Sequence, residues 1–169
     1  MSALLRKTHY WGSIFVLVPI LLVIVTGILL QIRKEWSWVQ PTEQKGSKKV
    51  PSITFEQVLA AVSGVPEAQV SSWADIARVD ARIGKGITKV TAKNGYEIQL
   101  DSATGEVLQV AYRRSDVITA LHEGSWFADW VRFYVFLPVA FVLFGLALTG
   151  AYLFFLPLVV KWRRAKTAS

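Results

Sequence analysis

The chain contains only two histidines, His9 and His122, and no cysteine. Each histidine stands just ahead of a long apolar run, the first in "LRKTHYWGSIF" and the second in "TALHEGSWF". An imidazole at a membrane border has two ordinary uses. It hydrogen-bonds lipid headgroups, or its unprotonated ring nitrogen ligates a metal, haem iron included. The lack of cysteine removes disulfides, thiolate metal sites and the C-x-x-C-H attachment of c-type haem. The only methionine is Met1, so a buried Met axial ligand is not on offer.

A haem held without covalent bonds needs an apolar slot, small residues where the ring lies against a helix, and cations for its propionates. Gly12 and Gly27 lie in the first apolar run, and Gly145 and Gly150 in the second. Gly27 follows His9 by 18 residues, five helical turns, and so faces the same direction. Arg6 and Lys7 accompany His9, while Arg113, Arg114 and Arg132 lie on the side of His122. Small residues at four-residue spacing, such as Gly145 and Thr149, also serve plain helix packing. Composition leaves both readings open.

The elements that must position these residues are two apolar segments. Trp11–Ile32 and Phe133–Val160 run for 22 and 28 residues without a charge. A bilayer span needs about 20. The remainder of a 169-residue chain is too small to bury both as core helices. The first segment is too long for a signal-peptide core, and "QIRKEWSW" lacks a small-residue cleavage pattern, so it reads as an uncleaved anchor. The first ten residues carry two basic and no acidic side chains, and "KWRRAKTAS" carries four and none. The other thirteen basic residues share the central region with all twelve acids. By the positive-inside rule both termini are expected in the cytoplasm and the central region outside. The pI near 9.8 then reports tails that adhere to an anionic leaflet, not nucleic-acid binding. Six of the seven tryptophans (Trp11, Trp36, Trp38, Trp126, Trp130 and Trp162) fall where an aromatic belt places them.

Between the spans, Gln40–Ser52 is polar and reads as a linker. Thr54-Phe-Glu-Gln57 offers a capping box, followed by Phe55, Val58, Leu59 and Val62 on one helix face. Strands are expected at Ala77–Ile83, Ile87–Lys93 and Tyr96–Asp101, the last two joined by Asn94-Gly95, and a final one through Leu108, Val110 and Tyr112. One helix on a small antiparallel sheet accounts for this region. Its acids alternate with basic residues on strand faces expected to be solvated, and no histidine lies within it to build a Ser-His-Asp centre.

The helix and hairpin with "GYEIQLDSATGEVLQV" resemble a PepSY domain. "RKTHYWGSIFVLVPILLVIVTGILL" resembles the PepSY-associated transmembrane helix, with a His-x-Trp-x-Gly-like opening and a terminal Thr-Gly. "LHEGSWFADW" followed by "LALTGAYLF" is similar to that family's second span. The resemblance runs from about Leu5 to Pro157. It implies a membrane α plus small α+β architecture, ordered as a cytoplasmic tail (1–10), a first span (11–32), a linker (33–52), a PepSY-like domain (53–115), an interfacial segment (116–132), a second span (133–160) and a tail (161–169). It places the chain in a bacterial inner membrane with the central domain periplasmic. Larger four-helix relatives include inner-membrane reductases of ferri-siderophores that bind b-type haem through histidines. By resemblance His9 and His122 take the haem-ligand role, with Gly12, Gly27, Gly145 and Gly150 along the ring and Arg6 and Arg132 near propionates. This chain is a minimal two-helix version.

The spans run in opposite directions, so the two histidines lie at opposite faces, separated by ~30 Å for ~20 residues at ~1.5 Å each. The two axial ligands of one iron are only about 4 Å apart, given metal–nitrogen bonds near 2 Å. One chain therefore cannot clamp one haem with its own two histidines. Either each haem has one histidine and another or no protein ligand, or two chains associate. The expectation is a homodimeric four-helix bundle with two b-type haems, since a two-fold axis pairs each histidine with its copy. Two other readings stand beside it. The chain is a membrane-anchored interaction module that binds a partner by strand addition, or an accessory subunit of a respiratory or iron-uptake complex whose partner completes the ligands. The sequence has no nicotinamide or flavin fingerprint, so electron-transfer subunit and oxidoreductase both remain open.

Overall fold

A computed structural model describes residues 2–167, with side chains described from Leu4 to Lys161. The tail side chains from Trp162 onward, including its expected belt and anchor residues, lie outside the described residues. The chain divides into two compact units, residues 28–119 and a second made of residues 1–27 with 120–169.

In the unit of residues 28–119, α2 (Phe55–Ser63) starts at Thr54. The Thr54 hydroxyl accepts from the Gln57 N–H, and the Gln57 side chain accepts from the Thr54 N–H. This is the capping box that the sequence predicts. Strands β1 (Ile76–Arg82), β2 (Ile87–Ala92), β3 (Tyr96–Asp101) and β4 (Val107–Tyr112) form an antiparallel meander in chain order. Asn94-Gly95 joins β2 to β3, with Gly95 at φ 88°. One sheet face carries Val90, Ala92, Ile98 and Leu100, which pack with Val58 and Val62 of α2. Each fully buried side chain of this kind contributes about 1.5–3 kcal/mol.

The opposite face departs from expectation. Lys89, Glu97, Gln99 and Asp101, expected to meet water, are all buried. The cover comes from Gln40–Ser52, the stretch that reads as a linker. It lies across the strands as a strap. The Gln44 N–H donates to the Gln99 side chain at 2.8 Å, the Gln99 amide donates to the Thr42 carbonyl at 3.1 Å, and the Ser47 N–H donates to Asp101 Oδ2 at 2.6 Å. Gly46 and Gly86 let two backbones touch. A Cβ on Gly46 would overlap the Gly86 carbonyl, and one on Gly86 (φ 68°) the Lys48 carbonyl.

Under the strap the charges answer one another. Glu97 takes Lys89 at 3.0 Å and the Gln99 amide at 2.9 Å on Oε1, and Arg113 at 2.6 Å on Oε2. Arg113 also reaches Asp116 at 2.8 Å. The strands pair Lys89 with Gln99 and Thr91 with Glu97, so the Lys89–Glu97 contact is the diagonal neighbour on one pleated face.

Asp101 accepts from the N–H groups of Ser47, Ala103 and Thr104. These bonds hold its carboxyl well below the ordinary value of 3.8, at about 2. A depressed carboxyl stabilises the fold above its unfolded value, and that contribution is lost as the pH falls through the folded one. Amide protection at Ser47 and Ala103, corrected for intrinsic exchange, is thus expected to hold from pH 7 to about 4 and to fall toward pH 2. Asp101→Asn should lower protection at neutral pH and flatten the acid slope. Wild-type protection unchanged to pH 2 would refute this account of the strap.

In the other unit, α1 (Ser2–Gln31) and α5 (Leu137–Thr167) are long apolar helices. The stretches Leu4–Gln31 and Asp129–Lys161 cover 28 and 33 residues, or about 42 and 50 Å at 1.5 Å per residue, enough for a hydrocarbon core of about 30 Å. Their apolar side chains are largely exposed, as a lipid-facing surface requires and a soluble core helix does not. Helix α3 (Arg114–Glu123) delivers His122, and the single turn α4 (Asp129–Val131) and a π-type turn at Arg132–Phe136 lead into α5. Gly124 ends α3 at φ 82° with the Phe136 ring where a Cβ would stand. The glycine of Leu-His-x-Gly thus has a backbone reason: only glycine turns the chain here without displacing that ring.

Candidate functional site

Each histidine meets a threonine of a long helix: His9 on α1 meets one in the middle of α5, and His122 on α3 meets one near the end of α1. His9 Nδ1 lies 3.1 Å from Thr149 Oγ1 on α5, and His122 Nδ1 lies 2.9 Å from Thr26 Oγ1 on α1. The adjacent glycines complete the contacts. A Cβ on Gly150 would stand 3.6 Å from His9 Cε1, and one on Gly27 would stand 3.4 Å from His122 Cε1. The helices are antiparallel, and the same His, Thr, Gly trio occurs once near each end.

Each threonine hydroxyl also reaches a carbonyl of its own helix. Thr26 Oγ1 donates to the Leu22 carbonyl at 2.6 Å, with Val23 at 3.2 Å. Thr149 Oγ1 donates to the Gly145 carbonyl at 2.9 Å, with Leu146 at 3.1 Å. A hydroxyl has one proton, and each is committed to its own helix. With that proton spent on its own helix, each threonine accepts from an imidazole in the Nδ1–H tautomer. Nε2 keeps its lone pair in the neutral ring. A metal-ligating histidine has this same arrangement, donating its remote N–H to an oxygen that fixes tautomer and orientation. Both rings are half-buried, which leaves each one open surface.

The two trios are far apart. Thr26, which holds His122, lies 17 residues from His9 along α1, or about 26 Å. The structure does not bring the two histidines together within one chain. Gly27 shares the inward face with His9, as its spacing predicts, but its partner is His122. The other expected residues scatter. Gly12 sits against Leu146, and Gly145 has nothing within 4 Å of a Cβ. Arg132 pairs with Glu123 at 3.3 Å, beside His122 in sequence. Arg113 is taken by Glu97 and Asp116, and Arg114 donates to the Trp38 carbonyl and stacks over Trp38 and Tyr112. No ion pair involves Arg6 among the described residues. An open apolar crevice of about 350 Å³, lined by Leu4, Leu5, Thr8 and Tyr152, adjoins the His9 segment.

Thr26 and Thr149 are the site residues that the sequence reading misses. A signal for them exists. Each long helix contains one Thr-Gly pair, Thr26-Gly27 and Thr149-Gly150, and in an antiparallel helix pair each falls opposite the other segment's histidine.

No curated protein and no solved structure matches the chain. One family model does, that of the PepSY-associated TM region, over residues 6–168. The match includes both histidines, both Thr-Gly pairs and the domain between them, and the chain belongs to this family of membrane proteins.

Proposed function

We propose that the chain is an electron carrier of the bacterial inner membrane that holds b-type haem at each face. His9 and His122 act as iron ligands, and a second copy of the chain completes each site. The observation that carries this reading is that each histidine is held through Nδ1 by a threonine of a long helix. Two independent threonines, each also within reach of a carbonyl of its own helix, stand at Nδ1 of the two histidines, and in the neutral Nδ1–H tautomer Nε2 would be free to ligate a metal. Headgroup hydrogen bonding has no need of that arrangement at both ends; metal ligation does.

The residues fit the group. Gly27 and Gly150 give the rings clearance that any side chain would narrow. On the His122 side, Arg132 is the one cation of the three candidates not drawn into the central domain, and it would face a propionate together with its Glu123 contact. Arg6 and Lys7 would serve on the His9 side. When bound, haem supplies a one-electron couple whose potential the axial ligands and surrounding polarity set. The protein's part is to fix each imidazole and exclude water with apolar helix faces. By the positive-inside rule the basic tails favour both termini in the cytoplasm and the central domain in the periplasm. Electrons would then cross in single steps toward a periplasmic acceptor such as a ferric chelate.

Thr26→Val removes the acceptor for His122 without changing side-chain shape, and Thr149→Val does the same for His9. Each is expected to weaken haem retention at its own end by about 10–100-fold. The readout is the rate of haem transfer to an excess of a haem-scavenging protein. Thr26→Ser and Thr149→Ser should retain wild-type behaviour. Valine variants that hold haem as tightly as wild type would refute the orienting role.

A further inference from the structure

The central domain contains a cleft of about 630 Å³ whose lining includes Arg33, Lys34, Arg82, Lys85 and Arg113, with Glu43 as its one carboxylate. The charges inside it do not cancel. Glu43 is shared by Lys85 at 2.7 Å and Arg82 at 3.6 Å, and it also lies 3.5 Å from Lys89, whose closer partner is Glu97. Arg113 is answered by Glu97 and Asp116. Among the described residues Arg33 and Lys34 have no ion-pair partner. Gln40 lines the same cleft, and its side-chain oxygen is buried without a hydrogen-bond partner. With the amide turned over, the same position donates to an anion instead.

We propose that this cleft holds the phosphate of an anionic phospholipid headgroup. The excess cations select an anion, and their place in the chain selects its source. Arg33 and Lys34 follow the last residue of α1, Gln31, by two and three positions. Trp36 and Trp38 come directly after, exposed and with ring centroids 5.2 Å apart. Such tryptophans mark headgroup depth. Basic residues on the outer flank of a span also oppose the charge bias that orients it, and a lipid phosphate gives them a reason to be there. The proposal rests on the membrane span and not on the haem reading.

The test uses the full chain in phosphatidylcholine nanodiscs titrated with phosphatidylglycerol, reading amide exchange across residues 33–43 and 82–85. Phosphatidylglycerol is expected to protect these amides. Arg33→Gln with Lys34→Gln should shift the titration midpoint about 30-fold, at about fivefold per cation. Arg82→Gln with Lys85→Gln should do the same, while Lys48→Gln with Lys49→Gln, exposed lysines outside the cleft, should leave it in place. Equal loss in that control, or no effect of the cleft variants, would overturn the site. Protection by inorganic phosphate in phosphatidylcholine alone would overturn the lipid as the source. Haem content does not enter the readout, so its failure is separate from that of the electron-carrier reading.

Discussion

His122→Ala should remove one of two b-type haems and leave the second, and His9→Ala should do the converse. Each variant is expected to retain about half of the reduced-minus-oxidised absorbance of wild type, because in the proposed arrangement each iron would lie between two copies of the same histidine. The separation enforces this outcome. With about 26 Å between the two His, Thr, Gly trios, loss of one ligand leaves the other end intact. The residual signal should also differ between the variants, since one imidazole packs on Gly150 and the other on Gly27. Loss of all absorbance in a folded single variant would mean that both histidines serve one centre. Loss of none would mean that neither is a ligand.

Glu97→Ala is expected to cost the central domain about 3–5 kcal/mol, because it leaves Lys89 buried with its nearest counter-charge gone. Lys89 and Glu97 side chains are 2% and 0% exposed, and the remaining carboxylate near Lys89 is Glu43 at 3.5 Å. A chemical-denaturation midpoint, followed by exchange in β2 and β3, reads the loss. Replacing both partners, Lys89→Met with Glu97→Leu, should cost less than the single change, since no charge is left stranded. A single variant within 1 kcal/mol of wild type would show that the strap admits enough water to solvate Lys89.

Much of this was legible before any fold was in view. The charge-free runs, the capping box at Thr54 and the Asn94-Gly95 turn are local signals: the last two place their elements within a residue, and the runs mark the long helices α1 and α5 but not their ends, which extend into the charged flanks. The polar face of β2 and β3 was not legible. Period-two alternation separates two faces but does not say what covers each, and Gln40–Ser52 has the composition of a linker because it buries polar groups through backbone bonds. At the candidate site the histidines stood out by rarity and position. Thr26 and Thr149 did not, because a threonine in an apolar helix ordinarily bonds its own preceding turn, as both do here. Their second role depends on which helix end lies opposite, a tertiary fact. Gly27 shows the same limit: its direction followed from spacing, its partner did not.

The central claim is that two imidazoles, each held through Nδ1 by a threonine, ligate iron at opposite borders of the bilayer. The most direct measurement is the pyridine haemochrome content per chain of the wild-type protein, purified in mild detergent from haem-sufficient cells. The account predicts one b-type haem per chain, in a particle of two chains. A well-folded, colourless protein would contradict it.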